Sequence, residues 1–313
     1  MIDVVILFFI LGLVAGLLRS ELKLPVALYE TLSLVLLLTI GLKGGEGLAK
    51  HALAPLLPQL GVVMMLGIAQ TFIAFFILSF VGKLGRADAA ATAAHYGSVS
   101  VATFAVATNW LMSRNIAFEP QSTIFLTVME VPAIIVGIIL ARGLSKQTDW
   151  GALAHESFLG KGVTLLIGGM AIGWVAGPEG LTPIKTLFYD LFKGALALFL
   201  LEMGLIVARQ AGELRKRGVF IIAFGILMPL LSALLGSACG IALGLSVGGT
   251  TLLTTLAASA SYIAVPATMR LAIPEANPAL SLAAVLGVTF PFNILVGIPL
   301  YHWLGIELTG VMA

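Results

Sequence analysis

The chain has 313 residues, of which 59% are hydrophobic and only 10% charged, where a soluble domain carries roughly 25% charged residues. A net charge of +2 without a basic tract gives no reason to expect a nucleic-acid partner. The single cysteine, Cys239, excludes a disulfide framework or a thiolate metal site. A polytopic membrane protein remains, with a mean hydropathy of +1.09.

Apolar runs long enough to span a bilayer fall at 2–18, 25–42, 60–81, 89–112, 122–141, 162–176, 187–207, 219–243, 249–269 and 281–303, so ten spans are expected in one membrane domain. The N-terminal run carries Asp3 and no preceding basic residue, so it reads as the first span and not as a signal peptide. The longest polar piece, 142–161, reads as a cytoplasmic link between 1–141 and 162–313. Twelve of the seventeen lysines and arginines fall in alternate loops (Arg19 and Lys23, Lys83 and Arg86, Arg142, Lys146 and Lys161, Arg209 to Arg217, Arg270). By the positive-inside rule this places both termini outside an inner, plasma membrane. Lys43, Lys50, Arg114, Lys185 and Lys193 are left for the other side.

The two halves repeat. Leu38–Leu42 matches Leu201–Leu205, Gly61–Val63 matches Gly218–Phe220, Ser98–Ser100 matches Ser259–Ser261, and Pro132 matches Pro291, all at offsets between 157 and 163. Five spans per copy is an odd number, so the second copy must be inverted. This gives an all-α membrane protein of ten transmembrane helices in two inverted five-helix repeats.

The fourth and ninth spans are interrupted by polar residues. His95–Asn109 carries Gly97, Ser98, Ser100 and Thr103 at its centre, and Ala257–Pro278 carries Ser259, Ser261, Tyr262 and Pro266. Pro266 is expected to break the ninth helix by removing an N–H and biasing Val265 away from helical angles. Broken helices at membrane depth must give their backbone groups to protein or to a water-filled cavity. Matching breaks in two halves point to a transporter site where the helices cross, with helix N-termini favouring an anion and freed carbonyls favouring a cation.

Ionisable residues inside spans are candidates because charge is costly in lipid. Glu130, just before Pro132, reads as a cation ligand or a buried acid paired with a hydroxyl. His95 reads as a protonatable group or a plain hydrogen-bonding residue. Arg270 reads as an anion partner or simply an inside-positive charge. Glu202, seven residues before Arg209, reads as a stretched ion pair or an anchor, and Asp88 as the cap of the fourth span. The pairs Gly44-Gly45 and Gly248-Gly249 read as turns. There is no HExxH, Walker A or nucleophile-elbow motif, so no ATP-driven pump or enzyme is indicated and no cofactor is expected beyond a coupling ion.

The stretches 24–45, AAHYGSVSVATFAVA (93–107), TVMEVPAIIVGIIL (127–140), 201–215 and ASASYIAVPATMRLAIPEANP (258–278) resemble the sodium-dependent bicarbonate transporter family over nearly the whole chain. The resemblance implies bicarbonate and Na⁺ bound where the fourth and ninth helices cross, an elevator-like motion, and a homo-oligomer. It places Gly97, Ser98, Ser100, Thr103, Ser259 and Ser261 at the anion, and Glu130, Tyr262, Ser98 and Ser261 at the cation. Tyr262 stands where cyanobacterial members carry an aspartate, and their long cytoplasmic insertion is reduced to 142–161. The expected function is symport of a small anion, most naturally bicarbonate, with Na⁺. The alternatives are a proton-coupled carrier using His95 and Glu130, and an intramembrane enzyme or sensor.

Overall fold

The computed structural model describes residues 3–49, 56–143 and 150–310, and no strand occurs among them. Lys50 and Lys146 lie outside the described residues, as do the side chains of Arg215, Lys216 and Arg217. The first helices are α1 (Val4–Leu17), α2 (Val26–Leu48) and α3 (Leu56–Phe76), the last running on through a π-helical turn to Val81. Then come α4 (Arg86–Gly97), α5 (Val101–Met112) and α6 (Ser122–Arg142). The second half holds α7 (Trp150–Leu159), α8 (Lys161–Leu181) and α9 (Phe192–Ala242). It closes with α10 (Val247–Ala258), α11 (Ala264–Ala272) and α12 (Pro278–Ala284). From α12 the chain stays helical through α13 (Phe290–Phe292) and α14 (Ile298–Thr309).

Among the described residues six helical stretches are long and apolar enough to cross a membrane: Val26–Leu48, Leu56–Val81, Ser122–Arg142, Lys161–Ile184, Gly218–Ala242 and Pro278–Leu308. The other four expected spans correspond to α1, the α4–α5 pair, the 192–217 part of α9, and the α10–α11 pair. α9 turns at Gly218, whose φ of 80° lies in the left-handed region that glycine enters freely. Pro132 sits inside α6 and Pro229 inside α9 without ending either helix.

Helices pack where small residues let backbones touch. A Cβ on Gly45 would lie 2.0 Å from the Met170 carbonyl oxygen, and one on Gly173 would lie 2.3 Å from that of Leu42. α2 and α8 therefore meet through Gly41-xxx-Gly45 and Gly169-xxx-Gly173, the close-approach pattern of membrane helices. α1 meets α9 in the same way through Gly12 and Gly204, whose added Cβ atoms would sit 2.0 Å and 2.2 Å from the opposing carbonyl oxygens.

Three sequence expectations are corrected here. Gly44 and Gly45 are buried in α2, not in a turn, because Gly44 admits Thr123 of α6 and Gly45 admits the Met170 carbonyl of α8. Gly248 and Gly249 lie in the first turn of α10, where they admit Ala117 and Glu119. Asp88 does not cap α4, whose N-cap is Gly85. Instead its carboxylate accepts from the Asn277 N–H at 2.7 Å. Within the stretch read as a link, α7 contacts α6, α8 and α11, and Leu153 is buried with Ile134, Ile138, Val265 and Met269.

Candidate functional site

α4 ends at Gly97, and Ser98 carries the chain out in extended geometry (φ −91°, ψ −179°). The helix restarts at α5 with Ser100 as its cap. The Ser100 hydroxyl oxygen accepts from the Thr103 N–H at 3.1 Å and from the Thr103 hydroxyl at 2.9 Å. In the second half α10 ends at Ala258, and Ser259 leaves it in the same extended way (φ −84°, ψ 172°). α4 and α10 are each 12 residues long, and each ends at the serine that the sequence offset pairs with the other.

The ninth-span break is not made by Pro266. It falls at Ser259–Ile263, and Pro266 lies in the first turn of α11. A helix's first N–H groups have no partner within it, so proline costs nothing there, and its fixed φ suits a helix start. What stops α10 is the set of bonds that holds its last carbonyls. Gln70 Nε2 donates to the Ala257 carbonyl and Asn293 Nδ2 to the Ala258 carbonyl, both at 2.8 Å, and the Tyr301 hydroxyl donates to Asn293 Oδ1 at 2.6 Å. Gln70 and Asn293 are fully buried, and the sequence reading missed both. Their signal was that each is a lone amide in an otherwise apolar run, GIAQTFIAFF and FPFNILVG.

The two breaks are bonded to each other. The Ser261 N–H donates to the His95 carbonyl at 2.9 Å, and the Ser100 N–H donates to the Ser259 hydroxyl oxygen at 2.9 Å. His95 Nδ1 lies 2.6 Å from the Ser261 carbonyl oxygen. A carbonyl only accepts, so Nδ1 carries the proton. The Ser259 hydroxyl donates in turn to the Leu256 carbonyl at 2.8 Å. Thus Ser100, Thr103, Ser259, Ser261 and His95 converge, and all are buried.

Among the buried or half-buried side-chain atoms without a well-formed hydrogen bond, Ser98 Oγ and the Tyr262 hydroxyl lie in the breaks and Gln70 Oε1 and Glu130 Oε2 on helices packed beside them, while Gln59 Oε1, Ser79 Oγ, Ser122 Oγ and Glu202 Oε2 belong to other parts of the chain. The Tyr262 hydroxyl points toward Ser100, and its ring packs edge-on against Phe290 at 5.6 Å. Glu130 belongs to the turn of α6 that backs the first break. A Cβ on Gly97 would lie 3.0 Å from Ala133 Cβ, and one on Gly67 would lie 3.7 Å from the Met129 carbonyl oxygen. Gly97 admits no side chain, since its Cβ would lie 1.8 Å from Thr71 Oγ1.

Other candidates lie apart from the breaks. Arg270 is exposed, two turns past the break in α11. Glu202 keeps a long ion pair to Arg209 Nη2 at 3.8 Å. Among the described residues, no three of His, Cys, Asp and Glu are grouped to hold a metal ion. The chemistry at the crossing is that of hydroxyls, carbonyls, helix ends and one acid.

Toward α2 the crossing is nearly closed. The cleft between Ser33, Leu37, Val101, Phe199 and Ile263 holds about 10 Å³, at the limit for a single water. On the opposite face, His95 lines a cavity of about 170 Å³.

Comparison with curated proteins returns no match. The family profile for Na⁺-dependent bicarbonate transporters matches residues 4–305, so it takes in both broken helices and every residue that meets at their crossing. On that match over nearly its whole length, the chain belongs to the Na⁺-dependent bicarbonate transporter superfamily.

Proposed function

We propose that the protein is a secondary active transporter that carries bicarbonate together with Na⁺ through the crossing of the two broken helices. The observation that carries the reading is the pair of bonded helix breaks with Ser98, Tyr262 and Glu130 holding unsatisfied oxygens around them. Buried polar atoms are nearly always paired, so unpaired ones in and beside the two breaks call for a ligand. The N-termini of α5 and α11 begin at the breaks and favour an anion, and the ends of α4 and α10 favour a cation.

On this reading Gly97, Ser98, Ser100, Thr103, Ser259 and Ser261 surround the anion. Ser98, Ser261, Tyr262 and Glu130 serve the cation. Tyr262 brings a hydroxyl without charge, so Glu130 supplies the negative charge that retains Na⁺. Ten spans in two inverted repeats support alternating access. The equal lengths of α4 and α10 and the matched glycine contacts of α1 with α9 and α2 with α8 favour that architecture. An elevator-type movement, both termini outside a plasma membrane, and a homo-oligomer complete the proposal.

The test is uptake of radiolabelled bicarbonate into proteoliposomes at alkaline pH, with and without an inward Na⁺ gradient. The expected result is Na⁺-driven accumulation that is lost in Ser98→Ala with Ser261→Ala. Uptake driven by a pH jump without Na⁺ would favour the second reading, proton coupling through His95 and Glu130. That reading draws on Glu130 being a buried acid with an unpaired oxygen. No uptake of either kind by folded protein would sink both.

A further inference from the structure

The 170 Å³ cavity between α4, α11 and α12 has not been used by the transport site, although the two share a residue. Its walls include His95 and Ala91 of α4, Arg270 of α11, Pro274 and Ala276 of the following loop, and Ser281 of α12. A water needs about 10–15 Å³ of such space, so the cavity has room for a small anion with a few waters.

Three features make the cavity suited to an anion. Arg270 lines it, and among the described residues its guanidinium makes no hydrogen bond or ion pair. The acids around the cavity are already engaged. Glu275, between Pro274 and Ala276, is paired to Arg142 Nη2 at 3.0 Å, and Asp88 accepts from the Asn277 N–H at 2.7 Å. The lining hydroxyl, Ser281, is buried and bonded to Thr92 Oγ1 at 2.9 Å, so it is fixed in place.

His95 narrows the choice of anion. Its Nδ1–H is committed to the Ser261 carbonyl, so in the neutral ring Nε2 is left as a lone-pair acceptor. An acceptor beside a guanidinium fits an anion that itself carries an O–H. We propose that this cavity is a second binding site, for a small monovalent oxyanion bearing a hydroxyl, of the hydrogencarbonate type. Arg270 meets its charge, His95 Nε2 accepts its O–H, and Ser281 completes the contact. The ligand class rests on the transport reading above, whereas the site itself rests on the cavity. Because His95 also holds the Ser261 carbonyl and accepts the Ser261 N–H through its own carbonyl, the second site is one residue from the helix crossing.

The test is saturation binding of radiolabelled bicarbonate to the purified full chain at alkaline pH, with nitrate, which lacks an O–H, as the contrasting probe. The expected result is two bicarbonate sites per chain. In Arg270→Gln one of them weakens by about tenfold or more, the loss expected for one charge-assisted hydrogen bond. Arg270→Lys recovers part of it. His95→Asn, which keeps a donor for the Ser261 carbonyl but lacks Nε2, weakens the same site for bicarbonate and leaves nitrate binding unchanged. Ser98→Ala with Ser261→Ala removes the other site and spares this one.

A single bicarbonate site, insensitive to Arg270→Gln and His95→Asn in protein with unchanged melting temperature, overturns the proposal and leaves the transport reading intact. Nitrate binding as well as bicarbonate, with no effect of His95→Asn, overturns it too. Arg270-dependent bicarbonate binding without any Na⁺-driven uptake supports the second site while sinking the transport reading.

Discussion

Gly97 ends α4 where three neighbours crowd it, and a Cβ there would lie 1.8 Å from Thr71 Oγ1 and 2.7 Å from the Gly67 carbonyl oxygen. Gly97→Ala should therefore cost about 1–3 kcal/mol through overpacking, read as a lower melting temperature in detergent, and should abolish Na⁺-driven uptake by displacing Ser98. Thr71→Ala on top should recover only part of the stability, because the Gly67 carbonyl remains in the way. Gln70 makes a second case. Gln70→Leu strips the Ala257 carbonyl of its buried donor, so a loss of about 1–3 kcal/mol is expected. If thermal melting of Gln70→Leu matched the wild type, the amide would not be what holds the end of α10. Gly97 was legible in the sequence as part of the interrupted span, whereas Gln70 was not. A glutamine in an apolar helix is ordinary until the structure shows the backbone group it faces, here 187 residues away.

At the scale of elements, the broken helices are tied at their outer ends as well as at their crossing. The start of α10 is held by Glu119, which accepts from the Ser246 N–H at 2.6 Å and from the Ser246 hydroxyl at 3.1 Å. The start of α4 is held by Asp88 on the Asn277 N–H. Each tie joins the broken helix of one half to the loop that follows the broken helix of the other. Glu119→Ala should cost about 1–2 kcal/mol by freeing the cap of α10, and Gly249→Ala should do similar harm, since its Cβ would lie 1.7 Å from Glu119 Oε2. Pro266→Ala should change the melting temperature little, by less than about 1 kcal/mol in stability, because a first-turn proline removes no helix bond. A large loss in Pro266→Ala would restore proline as the breaker. The paired interruptions were legible in the sequence as hydroxyl-rich patches at matching offsets. Their cause was not, because residue types show where a helix is weak and only neighbouring side chains decide at which carbonyl it stops.

At the scale of the whole molecule, one ion pair bridges the ends of distant segments. Arg142 at the end of α6 meets Glu275 in the loop after α11 at 3.0 Å. The Glu275 carboxyl is held below its ordinary value of 4.5, first by a hydrogen bond to its own backbone N–H and then by Arg142. A depressed carboxyl stabilises the fold above its unfolded value, and that contribution is lost as the pH falls from 4.5 through the folded value. Both side chains are well exposed, so the effect is modest and is screened by salt. Arg142→Gln should lower the melting temperature slightly at neutral pH, and the difference should vanish in acid. A difference that persisted in acid would mean Arg142 acts by packing and not by charge.

The sequence by itself determined the class of protein, the order of its apolar runs and the two interrupted helices, because hydropathy and hydroxyl clusters are local properties of the chain. It also carried the family, through motifs in five stretches that a profile match over residues 4–305 bears out. Only the tertiary structure decided that Gly44-Gly45 and Gly248-Gly249 are contacts and not turns, that Pro266 starts a helix, and that Gln70 and Asn293 finish α10. It also decided that His95 gives one ring nitrogen to the Ser261 carbonyl at the helix crossing and lines a cavity together with Arg270. The reason is physical: a backbone group or a ring nitrogen takes its role from the partner opposite it, and those partners come from helices far apart in the chain.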